Sequence, residues 1–184
     1  MLHYFAYIRY IFFLTKTDEY DDEPGIDIGF VASPGIAFDE EGEFRHNYIG
    51  YAVKDINSDG VPELLIMTDF PSVLSLFTLK DNEPVHLDSY WSRYYGRFAA
   101  GGTIYVSAIF NSGGTVCSFE LKPGATVLTA LTEYSFKVDF DGEGFSYEIA
   151  GDERILTDDE FQAWLEQYTN PPNPMPLTFI PIEQ

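Results

Sequence analysis

The sequence predicts an α+β domain, mainly antiparallel β-sheet built of hairpins, with one C-terminal helix at about residues 157–168. Three observations lead there. Short β-patterned runs recur along most of the chain, turn-forming pairs of residues separate them at regular intervals, and one late run has helical periodicity. Aromatics make up 17% of the residues, with sixteen Phe and thirteen Tyr. Wide flat rings pack well on a pleated surface, which strengthens the β reading.

The elements follow in order. Tyr4 to Leu14 is apolar apart from Arg9, and eleven residues are too few to span a bilayer. A basic start and a small-x-small cleavage site, expected of a secretory leader, do not accompany it. It is read as a helix or strand packed on the core. Residues 17–25 combine acidic side chains with Pro24-Gly25 and form a break. The expected organisation is therefore an N-terminal apolar segment and acidic linker over 1–25 and a single β-rich domain over 26–184.

Ile26–Ser33 reads as a strand, and Asp39–Glu43 as an acidic turn. Tyr48–Val53 and Glu63–Thr68 read as strands on either side of a polar loop. Val73–Leu79, Val85–Tyr90, Thr103–Phe110, Thr115–Leu121, Ala130–Asp139 and Gly144–Ala150 follow as further strands. Between them stand Asp81-Asn82, Gly101-Gly102, Ser112-Gly113-Gly114, Pro123-Gly124 and Asp141-Gly142. These residue types tolerate positive φ or preset a turn.

The helix has a defined start. Thr157 and Glu160 have capping-box spacing, and Asp158 and Asp159 suit the positive end of the helix dipole. Leu156 and Phe161 are placed to form a hydrophobic staple. Phe161, Trp164, Leu165 and Tyr168 fall at i, i+3, i+4 and i+7, giving one apolar face. Asn170-Pro171-Pro172 ends it, because proline lacks the amide donor. Leu177–Ile182 reads as a last edge strand.

Charge excludes some functions. Ten Lys plus Arg stand against 30 Asp plus Glu, a net charge of −20. A phosphate backbone is repelled by such a field, so nucleic acid is not an expected partner. A protein or carbohydrate partner is compatible with it; a basic protein would suit the charge, though a solvated acidic surface is the commoner explanation. Cys117 is the only cysteine, and His3, His46 and His86 are scattered. That removes disulfides, multi-cysteine zinc sites and paired-histidine metal sites from consideration. The expected state of Cys117, in an apolar β run, is a buried inert thiol.

The segment with the clearest chemistry is Asp55-Ile56-Asn57-Ser58-Asp59-Gly60-Val61-Pro62-Glu63. It places side-chain oxygens at positions 1, 3, 5 and 9, with a glycine at position 6 for a sharp bend. Ca2+ takes six to eight hard oxygen ligands. The expected ligands are Asp55, Asn57, Asp59, the carbonyl of Val61 and Glu63, around one structural ion with water completing the shell. The competing reading is a metal-free hairpin held by Asx turns. An EF-hand would need an acid at position 12, where Ile66 stands, and a following helix, where ELLIMT is strand-like. A propeller would need the segment repeated, and it occurs once.

Over Tyr51–Ile66, YAVKDINSDGVPELLI, the chain resembles the calcium loop of FG-GAP and integrin-type repeats, with the pattern D-x-[DN]-x-D-G-x-x-[DE]. It also resembles the DIDGDGxPEL segment of uncharacterised, often secreted, proteins of Gram-positive bacteria. The second resemblance implies an extracytoplasmic or secreted setting and no particular activity. The expected function is accordingly a non-enzymatic, calcium-stabilised binding or structural domain, with no catalytic residues assigned. One alternative is a carbohydrate-active enzyme using paired carboxylates beside the Tyr90–Phe98 aromatics. Pairs such as Glu133 with Asp139, or Asp152 with Glu153, can be drawn from thirty acids, and the sequence singles none of them out. Against it stands the reading in which those rings fill a core. The other alternative is an acidic protein that binds a basic protein partner.

Overall fold

In the computed structural model the described residues are 49–68, 73–90, 94–140, 145–151 and 155–181. The expectations for Tyr4–Leu14, residues 17–25, Ile26–Ser33, Asp39–Glu43 and the Asp141-Gly142 turn lie outside them. The described residues are mostly antiparallel β-sheet with one C-terminal helix, the α+β class expected. They fall into two compact units, divided at Trp91/Ser92 and again at Met175/Pro176.

The first unit carries a five-stranded antiparallel sheet. Its strands are β1 (Ile49–Lys54), β2 (Glu63–Thr68), β3 (Val73–Lys80), β4 (Glu83–Ser89) and β11 (Ile180–Pro181), in the order β11-β1-β2-β3-β4. All six residues of β2 and the first six of β3 are buried. Both faces of these central strands are therefore covered, which is why ELLIMT reads as a continuous apolar run rather than an alternating one. Asp81 and Asn82, at φ 52° and 68°, make the two-residue turn between β3 and β4. Two successive left-handed residues match the twist of a tight hairpin, and Asp and Asn tolerate that region. Gly50 lets β11 approach: a Cβ there would overlap the Ile180 carbonyl and the Phe179 ring.

The second unit carries a six-stranded antiparallel sheet in the order β10-β9-β8-β7-β6-β5. The strands are β5 (Tyr94–Phe98), β6 (Thr103–Phe110), β7 (Gly113–Glu120), β8 (Thr129–Phe140), β9 (Phe145–Ile149) and β10 (Ile155–Leu156). One helix, α1 (Asp158–Thr169), packs on one face. Its Phe161 lies flat on Tyr147, with ring centroids 3.9 Å apart and planes 4° apart, and 4.8 Å from Phe136. Val116, Ile149 and Leu156 complete this core, with Tyr134, Val138, Trp164, Leu165 and Tyr168 at its margin. The predicted apolar face of the helix is the face that packs. The carboxylate of Glu160 accepts from both the N–H and the hydroxyl of Thr157, at 2.9 Å each. Leu156 and Phe161, the predicted staple, share the core.

The differences from the sequence reading have simple causes. Strand β5 falls within the Tyr90–Phe98 aromatics, where the core-filling reading expects a strand pair. Two-residue strands such as β10 carry too few residues to show alternation. Only Ile180–Pro181 of the Leu177–Ile182 run pairs as a strand among the described residues, where Pro176 and Pro181 limit the donors.

Candidate functional site

The β1–β2 connection is the loop singled out by its oxygens. Its closing pair is Lys54 opposite Glu63. Ser58 and Gly60 take positive φ, 63° and 85°, and together bend the chain inward. Glycine occupies such a conformation at no steric cost, and a serine adopts it with a modest penalty. Ile56 is buried and anchors the turn to the core.

Backbone amides bring the polar side chains together. Asp55 accepts from the N–H of Asp59 at 3.2 Å and of Gly60 at 2.9 Å. Asn57 Oδ1 accepts from the Asp59 N–H at 3.2 Å, and its amide donates to Asp59 Oδ2 at 3.2 Å. Asp59 Oδ1 accepts from the Val61 N–H at 2.7 Å. These are Asx-type turns, and each leaves the accepting oxygens with further lone pairs.

Glu63 behaves differently. It is wholly buried, with 0% of its surface exposed. Oε2 accepts from the Ile56 N–H at 2.9 Å, and Oε1 accepts from the Thr78 hydroxyl at 3.1 Å. Burial pushes its carboxyl up from 4.5 to about 7, and the charges of Asp59 and Asp55 push the same way, against the two hydrogen bonds. Desolvation penalises the charged form, and like charges nearby add to that.

The structure thus brings Asp55, Asn57 and Asp59 into one hydrogen-bonded turn and sets Glu63 in their electrostatic field. Val61 contributes its N–H to this turn. Among the described residues, no three His, Cys, Asp or Glu side chains gather as a metal-holding group. The donor set is made of hard oxygens throughout, with an excess of negative charge, and that chemistry fits a calcium-type cation better than any softer metal. Thr78 is the part of the site that sequence reading missed. It lies fifteen residues from Glu63, and only the β2–β3 register brings the two together.

Other candidates resolve into packing. Of the aromatic segment, Tyr90 and Phe98 are buried and Tyr95 is exposed, while Arg97 donates to the Thr169 carbonyl. Glu133 and Asp139 sit six residues apart on β8. That separation is roughly 20 Å along a strand, too far for a catalytic pair. Asp152 and Glu153 lie outside the described residues. Cys117 is buried. A register shift in the β3–β4 pairing turns His86 toward Ser89, with Nε2 and Oγ 2.8 Å apart and Ser75 Oγ at 3.5 Å. The Asp88 carboxylate, raised above its usual range by burial, is engaged by the Ser89 N–H and Tyr90. This group fills the bulge of an edge strand.

No helix among the described residues is long and apolar enough to cross a membrane. Comparison of the chain with protein-family models, with curated proteins and with solved structures gives no match.

Proposed function

We propose that the chain is a non-enzymatic binding or structural domain of a secreted or surface protein of bacteria, stabilised by one Ca2+ at Asp55, Asn57, Asp59, Val61 and Glu63. The observation that carries this reading is the Gly60 bend. It folds oxygens from positions 1, 3 and 5 beside a buried carboxylate whose ionisation Asp55 and Asp59 oppose. Ionised, Asp55, Asp59 and Glu63 repel one another; a divalent cation would offset that repulsion. Bound there, the ion would tie the end of β1 to the start of β2 and rigidify the sheet. The bacterial and extracytoplasmic parts of the proposal rest on the resemblance of Tyr51–Ile66 to the DIDGDGxPEL segment. Weak, millimolar affinity is enough for a staple outside the cell.

Thermal unfolding with calcium and with a chelator tests the proposal. At ten times the dissociation constant, binding to the folded state alone adds about 1.4 kcal/mol, a shift of several degrees for a unit of this size. Asp59→Ala is expected to abolish that shift. An unchanged midpoint for the wild-type protein at 10–20 mM calcium, on the order of ten times a millimolar constant, would overturn the assignment.

A further inference from the structure

On the face of the second sheet that α1 covers, a diagonal strip of large apolar side chains stays open to water. Strand registers identify the face. Val116 belongs to the core under α1; it pairs with Ser107, and Ser107 pairs with Tyr95. By alternation, Tyr95 and Ile109 share that face. On β8 and β9, Phe136, Val138 and Tyr147 belong to the same core, so Phe140 and its partner Phe145 share it too. Tyr95 is 44% exposed, Ile109 38%, Phe140 65% and Phe145 55%. The Phe140 and Phe145 rings touch at a tilt of 47°, with centroids 5.0 Å apart.

The strip runs beside the helix. At its N-terminal end α1 sits over β9, where the Tyr147 hydroxyl donates to Asp158 at 2.7 Å. At its C-terminal end the Thr169 carbonyl accepts from Arg97 of β5. Phe145 lies two residues beyond Tyr147, and Tyr95 two residues beyond Arg97, so the strip follows the same diagonal from β9 to β5. Strand spacing and rise give it a length of roughly 25 Å, that of a helix of about 17 residues. Two exposed apolar pairs, Phe140 with Phe145 and Tyr95 with Ile109, thus stand at the two ends of this line, with Gly114 and half-buried Val138 of the same face between them; four large apolar side chains left open on one face beside a packed helix mark an interaction surface.

Charge decides between occupants. The bordering helix contains no Lys or Arg and exposes Asp158, Asp159, Glu160 and Glu166. The whole chain carries −20, so a second copy would bring the same sign to the interface, as would an anionic membrane or a nucleic acid. We infer that this strip is the docking surface for a cationic amphipathic helix of a partner protein, laid alongside α1 with its apolar face on Tyr95, Ile109, Phe140 and Phe145. The carboxylates of α1 receive its Lys and Arg side chains. This goes beyond the calcium reading and does not depend on it.

The test uses the full chain and a fluorescein-labelled, 18-residue Leu/Lys amphipathic helix as the probe, in 0.15 M salt. A Leu/Glu helix of the same pattern is the control. Anisotropy is expected to show binding of the Leu/Lys helix alone. Phe140→Ser combined with Phe145→Ser is expected to weaken it by about tenfold or more, as loss of large aromatic anchors does. Ile109→Lys, which adds like charge inside the strip, weakens it as well, while Val127→Ser, at a 68% exposed position in the β7–β8 connection, leaves it unchanged. Equal affinity for wild type and the strip variants would mean diffuse attraction to an acidic surface and would overturn the proposal. So would absence of binding, or a wild-type dimer in sedimentation that the Phe variants dissolve, which would make a second copy the occupant. Calcium-induced stabilisation, measured in the same variants, reports on the loop separately.

Discussion

Replacing Glu63 with glutamine isolates the electrostatic cost of a single buried charge. The side chain keeps its size and can still accept a hydrogen bond from Ile56 or Thr78, but it no longer ionises. In the folded protein the Glu63 carboxyl is raised from 4.5 to about 7. The folded state therefore binds more protons than the unfolded state between those values. Stability is greatest below about pH 4.5, falls as pH rises toward 7, and then levels off. A displacement of this size corresponds at most to about 3 kcal/mol. Burial is the main cause of the displacement, and the repulsion of part-exposed Asp55 and Asp59, screened by water, adds less; the expected loss is about 1–2 kcal/mol. The assay is urea unfolding at pH 5 and pH 8 in the presence of a chelator. Wild type is expected to lose about 1–2 kcal/mol more than Glu63→Gln over that interval. Asp88 is also raised by burial, but both proteins carry it and its contribution cancels in the difference. Calcium at pH 8 is expected to restore wild type and leave the variant behind. Identical pH dependence in the two proteins would refute the account of Glu63 as a buried, strained charge.

Other substitutions probe the scaffold. Thr157→Ala removes the hydroxyl bonded to Glu160 and is expected to cost about 1 kcal/mol in chemical denaturation. Phe161→Ala deletes the ring stacked on Tyr147 and tilted against Phe136; a loss of about 3–5 kcal/mol is expected, with α1 amides losing hydrogen-exchange protection first. Gly50→Val places a side chain where the Ile180 carbonyl and Phe179 ring lie. Displacement of β11 is expected, at about 1–3 kcal/mol, visible as rapid exchange at the Ile180 amide.

The parts of the fold legible in the sequence were those governed by local chemistry. The strands Glu63–Thr68 and Thr103–Phe110 match the expected runs residue for residue. Proline, glycine and Asx residues punctuate them, and φ at each is a local property. The helix was legible because its start, apolar face and stop lie within sixteen residues. Strand order was not, since pairing β1 with β11 joins residues about 130 apart with no shared local pattern. The candidate site divides along the same line. The Asp55, Asn57, Asp59 and Gly60 spacing is written in the chain. Thr78, and the burial that lifts Glu63, come from the β2–β3 pairing. The exposed strip beside α1 was invisible for the same reason: Tyr95, Ile109, Phe140 and Phe145 show no common period until the five strands from β5 to β9 are aligned.

The burial of β2 has a consequence for how the first sheet assembles. Inside-outside alternation normally selects strand register, because a one-residue slip sends apolar side chains into water. Here Leu64, Leu65, Ile66 and Met67 are all covered, so sliding the strand by one position exchanges one greasy side chain for another at little loss. What cannot slide is the acid at its head. Only one alignment delivers Glu63 to both the Ile56 amide and the Thr78 hydroxyl, and any other strands it among hydrocarbon. The polar residue thus acts as an alignment key for the strand that hydrophobicity alone leaves ambiguous.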